Sequence, residues 1–340
     1  MAAYDPKRAT VRVRLGQQPI RPLPVILAPL ADELLSSWIN RHAAFIGVSG
    51  MRLLRHYRIE VPTVRDLDLE LSRCDRSKLA EALRCSPHVL RNMTQSRGGR
   101  VRSGLVAIRQ PTQICRPCAV RHSANSVTRN ARLRSWMEGW RITCPICRTE
   151  LEDFRLYTRL FRADPGDALL MQIKDIAREG EQKIDRSSRR RGGASTYATL
   201  MRGLLLPQAA RIRPRDIAAI IPRLLDLVIP GADDFFGRIA PENWPCTPRM
   251  LPLSVRIPVL AGVATVSGHP ENWIGKLMSA AAPPHGANLR NCLEALTHSD
   301  DAQPPDSTSP DSGHCGNIQN LARRNSDNKW QQPRERALFR

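Results

Sequence analysis

Cys115-Arg-Pro-Cys118 and Cys144-Pro-Ile-Cys147 place four thiols in two equal pairs, with 25 residues between the pairs. Two residues between sulfurs let the chain turn back and offer both to one ion. The intervening loop can then bring the second pair to the same ion. Four thiolates complete the tetrahedral shell of Zn²⁺ and leave no open position for water or substrate, so the chemistry expected is structural. Pro117 and Pro145, one inside each pair, help to fix the turns. A redox dithiol is the competing use of Cys-x-x-Cys, but it normally opens the helix of a βαβ unit, and no such pattern surrounds either pair. A set with His122 in place of one sulfur is a second alternative. Cys74, Cys85, Cys246, Cys292 and Cys315 have no partner spacing and read as core or exposed thiols. Nine cysteines, an odd number, in a chain opening on MAAYDPKRAT without an apolar signal core, argue against a disulfide framework. No apolar run is long enough to span a bilayer, so a cytoplasmic protein is expected, without a membrane partner.

The charge suggests what lies beside such a centre. Fifty-two Lys and Arg against 32 Asp and Glu give a formal charge of +20 over 340 residues, and six of the 52 are Lys. From Arg84 to Met137 there are eleven Arg and no acid. Guanidinium forks fit phosphate bidentately, so a polyanionic partner is expected; a solvated basic face is the bland alternative. A small segment rich in like charge buries little apolar surface, and metal ligation, worth roughly 10–16 kcal/mol, can offset that deficit. Trp136 and Trp140, four residues apart on a short helix, are expected to pack across the metal loop, with base stacking as the alternative.

The elements that must position these residues read as mainly helical. In LADELLSSWINRHAAFIG, the residues Leu34, Leu35, Trp38, Ile39, Phe45 and Ile46 recur at helical spacing, and Gly47 is a suitable stop. LAEALRCSPHVLRNM predicts two short helices. Leu79, Ala80 and Leu83 face inward on the first; Ser86 caps the second with Pro87 at its first position, and Val89, Leu90 and Met93 face inward. This is a helix-turn-helix pattern. Its turn carries Arg84 where Gly is usual, at a cost of about 1 kcal/mol if the backbone is left-handed. The second helix would expose His88, Arg91, Asn92 and Gln95 toward base edges or phosphates. Arg84 beside it, and Arg97, Arg100 and Arg102 in the Gly-rich loop that follows, complete the candidate nucleic-acid-binding set. EDFRLYTRLFR, DALLMQIKDIAREGEQKI and RDIAAIIPRLLDLVI read as helical, and DRSSRRRGGAST as a linker. The pairs Asp32–Glu33 and Asp233–Asp234 read as surface or cap groups, since adjacent residues point apart. No His/Glu/Asp cluster suggests a catalytic metal, so a non-enzyme is expected.

RPLPVILAPLADELLSSWINRHAAFIG resembles the N-terminal signature of TniQ-type transposition proteins: a proline-rich lead, an acidic pair, then Leu-x-Ser-Trp. Ile114 to Leu151 is similar to the same family's zinc segment, through Cys115, Cys118, Arg134 and Trp136 of "RSW", and Cys144-Pro145. Cys147 stands where the family usually has His, and SVTRNARLR replaces an aromatic-rich lead. The resemblance covers about residues 19–160. It implies an accessory role in DNA transposition, with target DNA or an RNA-guided nucleoprotein complex on one side and an AAA+ ATPase and transposase on the other. A transcription regulator built from the same two modules is the alternative function.

The expected architecture is a mainly α chain with helix-turn-helix-like units and an inserted zinc-knuckle, zinc-ribbon-like segment. A flexible lead spans 1–20, a helical N-terminal domain 21–112, the zinc-binding segment 113–160, a helical C-terminal region 161–297 and a disordered tail 298–340. A homodimer is compatible with this reading.

Overall fold

A computed structural model describes residues 20–69, 71–95, 103–107, 110–153, 167–188, 192–209, 222–236, 247–281 and 283–300. These belong to one compact unit, 1–299, apart from Asp300 at the end of the last helix. The expected flexible lead, except for its last residue, and the tail beyond Asp300 lie outside the described residues. The fold is mainly helical. Helices α1 (Leu35–Phe45), α2 (Gly50–His56), α3 (Arg73–Ala82) and α4 (Pro87–Asn92) come first. Strand β1 (Gln113–Ile114) and helix α5 (Arg116–Ser123) open the cysteine segment, and strand β2 (Glu152–Asp153) closes it. Helices α6 (Asp167–Ser187), α7 (Gly193–Leu204), α8 (Leu224–Val228), α9 (Leu253–Gly268), α10 (Pro270–Ala280) and α11 (Pro283–Asp300) follow.

The N-terminal helices surround a core of Leu35, Trp38, Ile39, Leu54, Ile59, Leu67, Leu79, Leu83 and Leu90. The helical spacing of the α1 apolar residues places Trp38 and Ile39 fully inside, while Phe45 remains half exposed at the helix end. Gly47, at φ 74°, ends the helix in the left-handed region as expected. Leu34 has no side chain that could cap α1. Its first-turn N–H is satisfied from a distance: Asp68 accepts the Ser36 amide at 2.8 Å and its hydroxyl at 2.5 Å. The other entries are local, with Ser49, Ser72 and Ser86 each accepting from the amide three residues on.

Burial pushes the Asp68 carboxyl up to about 7, against the Ser36 hydrogen bonds and the nearby Arg132 and Arg65, which favour its charge. The native state therefore holds this proton more tightly than the unfolded chain. The resulting stability is complete below the unfolded value of 3.8 and is lost as pH rises through about 7. Thermal unfolding between pH 4 and 7 should show the native chain losing stability relative to Asp68→Asn, whose amide does not titrate. Parallel curves for the two proteins would refute this.

The larger core is built on α9. That helix is mostly apolar and buried around nearly all of its surface, with Arg256 as its one buried charge, and it packs along α6. A Cβ on Gly180 would strike the Leu260 carbonyl, so glycine is what permits this close crossing. The same core includes Leu105, Val106, Met137, Trp140 and Ile142, which come from within or just before the cysteine segment. The segment expected at 113–160 and the helices after it thus share one interior.

Two sequence expectations change here, and a third is met as far as the described residues reach. Glu152–Asp153, read as the start of a helix, is a strand paired antiparallel with β1, Gln113 opposite Asp153; residues 154–162 lie outside the described residues. Pairing with a partner 40 residues upstream outweighs the local apolar spacing. The proposed linker at 185–196 is largely helix end: α6 runs through Ser187 and α7 starts at Gly193. Ser188, just after the end of α6, is fully buried, and a Cβ on Gly193 would strike the Ser187 carbonyl, so the two helix ends pack closely; residues 189–191 lie outside the described residues. Of the helical pair around Pro222, α8 is present and residues 215–221 lie outside the described residues.

Candidate metal centre and nucleic-acid interface

The two cysteine pairs are positioned by different local structures. Cys115 follows β1 and serves as the N-cap of α5, whose first turn, with Pro117 in it, carries Cys118. Cys144 begins a reverse turn in which Arg148 N–H donates to the Cys144 carbonyl at 3.0 Å and Cys144 N–H donates to the Thr149 carbonyl at 2.8 Å. Arg148 takes φ 63° to close it. The β1–β2 pairing and the Thr143–Glu150 bridge then hold the two turns face to face.

All four sulfurs lie within 4.8 Å of one another. Cys118 Sγ is 3.8 Å from both Cys144 Sγ and Cys147 Sγ, and Cys115 Sγ is 3.2 Å from Cys147 Sγ. A Zn–S length near 2.3 Å implies a tetrahedral edge of about 3.8 Å, so the donor set fits one ion, and each of these separations far exceeds a disulfide bond. Cys115, Cys118 and Cys144 are buried and Cys147 is half-buried. Burial pushes the Cys144 thiol up to about 11, and burial with its sulfur neighbours holds Cys118 higher still. A cation is what makes four adjacent thiolates tenable in such a place. Donors to the sulfurs are already present. Thr149 Oγ1 lies 3.0 Å from Cys147 Sγ and 3.4 Å from Cys115 Sγ, and the amides of Ile146 and Cys147 point at Cys144 Sγ. The Thr149 hydroxyl and amide, with contacts from Cys115 and Cys144, outweigh burial at Cys147 and bring it down to about 6. His122 is not among the clustered ligands.

Leu133, Trp136 and Leu151 form a small core around the thiols. Trp136 sits on a 3-10 turn, Arg134–Met137, that ends before Trp140. Both indoles are buried, but in different interiors: Trp136 against the cysteines and Trp140 in the α6–α9 core. The expectation of one helix packing both across the metal loop is therefore corrected, and neither ring face is open to a base.

Arg134 ties the centre to everything N-terminal of it. Its guanidinium meets Asp32 at 3.2 Å and donates to the Asn92 carbonyl at the end of α4 at 3.0 Å. Asp32 also accepts the Ser135 amide at 2.9 Å and takes φ 60° to do so. Beside it, buried Glu33 receives Arg41 Nη2 at 2.6 Å, the Ser37 hydroxyl at 2.8 Å and the Leu30 amide at 3.0 Å. The acidic pair is thus an internal anchor, not a surface feature, and Asp233 likewise pairs with buried Arg223 at 3.2 Å. Asp32 and Glu33 do point apart, but toward two different internal partners, whereas Asp234 is exposed as expected. Thr149 and Asp68 are the positioning residues that the sequence did not single out; no spacing motif marks either one.

The helix-turn-helix pattern holds locally. Leu79, Ala80, Leu83, Leu90 and Met93 are buried, Ser86 caps α4 and Arg84 takes φ 48°, the left-handed turn backbone. Arg84, His88 and Arg91 are exposed. Asn92 is half-buried, with Nδ2 3.2 Å from His88 Nδ1. Gln95, expected on the exposed face, is corrected: it is 3% exposed. Its amide donates to the Asp68 carbonyl at 2.6 Å, because the chain turns inward after α4. Arg97, Arg100 and Arg102 lie outside the described residues. Among the described residues, no helix is long and apolar enough to cross a membrane.

Neither a curated protein nor a solved structure matches the chain. The sequence pattern of the TniQ family matches residues 24–163, a span that contains both the acidic anchor and the four cysteines. The two signature pieces, ADELLSSW and RSW, are the ones the structure joins through Asp32 and Arg134. Over residues 24–163, 140 of its 340 residues, the chain is similar to the TniQ family.

Proposed function

We propose that this protein is a non-catalytic accessory factor of DNA transposition. It contacts target DNA, or a nucleic-acid-guided complex, through the α3–α4 face and links it to an AAA+ ATPase and transposase. Zn²⁺ held by Cys115, Cys118, Cys144 and Cys147 is its structural metal. The observation that carries this reading is that Arg134 joins the metal segment to the end of α4. A cationic helix-turn-helix is thereby held in fixed orientation by a closed thiolate centre. When bound, the ion cross-links the two turns and neutralises thiolate charge. The chain's own residues do the rest: Arg84, His88 and Arg91 present donors outward, while Asp32 and Arg134 hold the angle at which they are presented. No activated water is available from a four-sulfur shell, so the role is recognition and assembly.

Duplex DNA binding should weaken steeply with salt, with a log–log slope of roughly −0.9 for each phosphate neutralised. Arg91→Ala should reduce that slope by about one contact and leave the thermal midpoint unchanged, because Arg91 is exposed and makes no core contact. A flat salt response, or an identical slope in Arg91→Ala, would assign α4 a purely structural role.

A further inference from the structure

A concavity of about 460 Å³ opens between α1 and the loop after α5, lined in part by Asn40, Ala44, Phe45, Val127 and Arg129. Isolated exposed apolar residues are ordinary; here they share a groove. Phe45 is 51% exposed and Val127 37% exposed on its walls, and Ile46 next to Phe45 is 38% exposed. The floor is firm, because Arg41, itself buried and paired with Glu33, reaches the Val127 carbonyl at 3.4 Å. The volume suits one or two side chains of a partner rather than a flat surface.

Charge decides which partner. No Asp or Glu occurs from Leu34 to Ile59 or from Arg84 to Met137, so neither the α1 wall nor the loop wall carries an acid of its own, while Arg129 is exposed at the edge. Among the described lining residues Phe45 is the sole aromatic, so a nucleobase would find a platform on one side only. From apolar walls whose neighbouring acid, Glu33, is already engaged by Arg41 and Ser37, and from Arg129 exposed at the edge, we infer that this groove docks an acidic peptide segment of a protein partner, one that inserts an apolar anchor side chain against Phe45. The inference rests on the linking role proposed above, which needs a second surface besides α4. The fold separates the two: the Leu35 amide at the start of α1 bonds the Met93 carbonyl just past α4, and Phe45 is ten residues further on. At 1.5 Å per residue that is about 15 Å along a helix, enough for nucleic acid and protein to be held at opposite ends of α1.

The test is selection of 12-residue peptides from a random display library on the full-length protein, followed by anisotropy titration of the enriched peptides. Expected are peptides of net negative charge with a central Leu, Ile, Phe or Trp. Their affinity should fall about tenfold or more in Phe45→Ser and in Ala44→Glu, both exposed positions, and stay unchanged in Arg91→Ala. Enrichment of neutral or basic peptides, no enrichment, or equal binding by Phe45→Ser would overturn the inference. So would loss of single-stranded oligonucleotide binding in the groove variants with peptide binding intact, which would make the groove a nucleic-acid site. Duplex binding measured on the same preparations separates the two proposals. If duplex binding fails while the peptides bind, the α4 reading falls; if duplex binding holds while the peptides fail, the groove inference falls alone.

Discussion

Cys144→Ser should release the metal, unfold the segment around it and abolish duplex binding, although Cys144 touches no nucleic acid. A structural zinc site contributes on the order of 10–16 kcal/mol, as much as or more than the whole stability of a typical domain. Cys144 is fully buried beside Cys118 and heads the turn that carries Cys147, so its loss removes one ligand and loosens a second. A serine hydroxyl does not ionise near neutral pH and cannot replace the thiolate. With the turn released, the core of Leu133, Trp136 and Leu151 has nothing to close on, and Arg134 on the same 3-10 turn no longer holds the end of α4. Elemental analysis, limited proteolysis and duplex titration check the three consequences together. Cys292→Ser is the control: that thiol is buried in the other core, 3.1 Å from the Thr196 carbonyl, where a hydroxyl can make the same hydrogen bond. Retained metal and protease resistance in Cys144→Ser would show that the four sulfurs do not act as one centre.

The parts of this site that were legible in the sequence are those whose geometry is local. Two residues between cysteines describe a turn, and Ser86 before Pro87 describes a helix start, whatever the rest of the chain does. Even the left-handed backbone at Arg84 follows from the tightness of the turn, at about 1 kcal/mol for a non-glycine residue. What escaped was set by partners far along the chain. Trp136 and Trp140 are one helical turn apart on paper, yet one faces the thiols and the other faces helices more than 30 residues later. Gln95 continues the polar stripe of α4 in spacing alone; the helix ends at Asn92, and beyond that point periodicity predicts nothing. The acidic pair Asp32–Glu33 reads as solvated because acids in a basic chain have many possible partners, and the sequence does not say that Asp32 meets the distant Arg134 while Glu33 meets Arg41. The same holds for Asp68, whose role as a remote cap depends on where its short 3-10 turn lies against α1.

Chain length is where the family match and the structure make opposing suggestions, and the structure predicts the outcome. A chain ending at residue 163, where the match stops, should not fold. Met137, Trp140 and Ile142 are buried against the helices that follow, and removing those helices would expose a full tryptophan and its neighbours, each worth roughly 1.5–3 kcal/mol of burial. Polar losses add to this. Partly buried Arg141 is held by Glu138 at 2.7 Å within the segment, but also by Glu181 at 3.2 Å and Asp185 at 2.7 Å from α6. Despite its burial, these carboxylates keep the guanidinium above its ordinary pKa. From α9, Arg256, with no exposed surface and lowered to about 10 by burial, donates to the Arg141 carbonyl at 2.7 Å and to Gln113 Oε1. Asp153, at the end of β2, accepts the Leu253 amide at 2.9 Å. Breaking a fully buried ion pair costs about 3–5 kcal/mol and a partly buried one less; this truncation breaks two partly buried pairs at Arg141 and removes the α9 partners of Gln113 Oε1 and Asp153. Residues 1–163 should therefore be aggregated or protease-sensitive even with zinc supplied, whereas residues 1–300 should retain metal, cooperative unfolding and duplex binding. A monomeric, protease-resistant, zinc-loaded 1–163 would mean that the cysteine segment needs neither α6 nor α9.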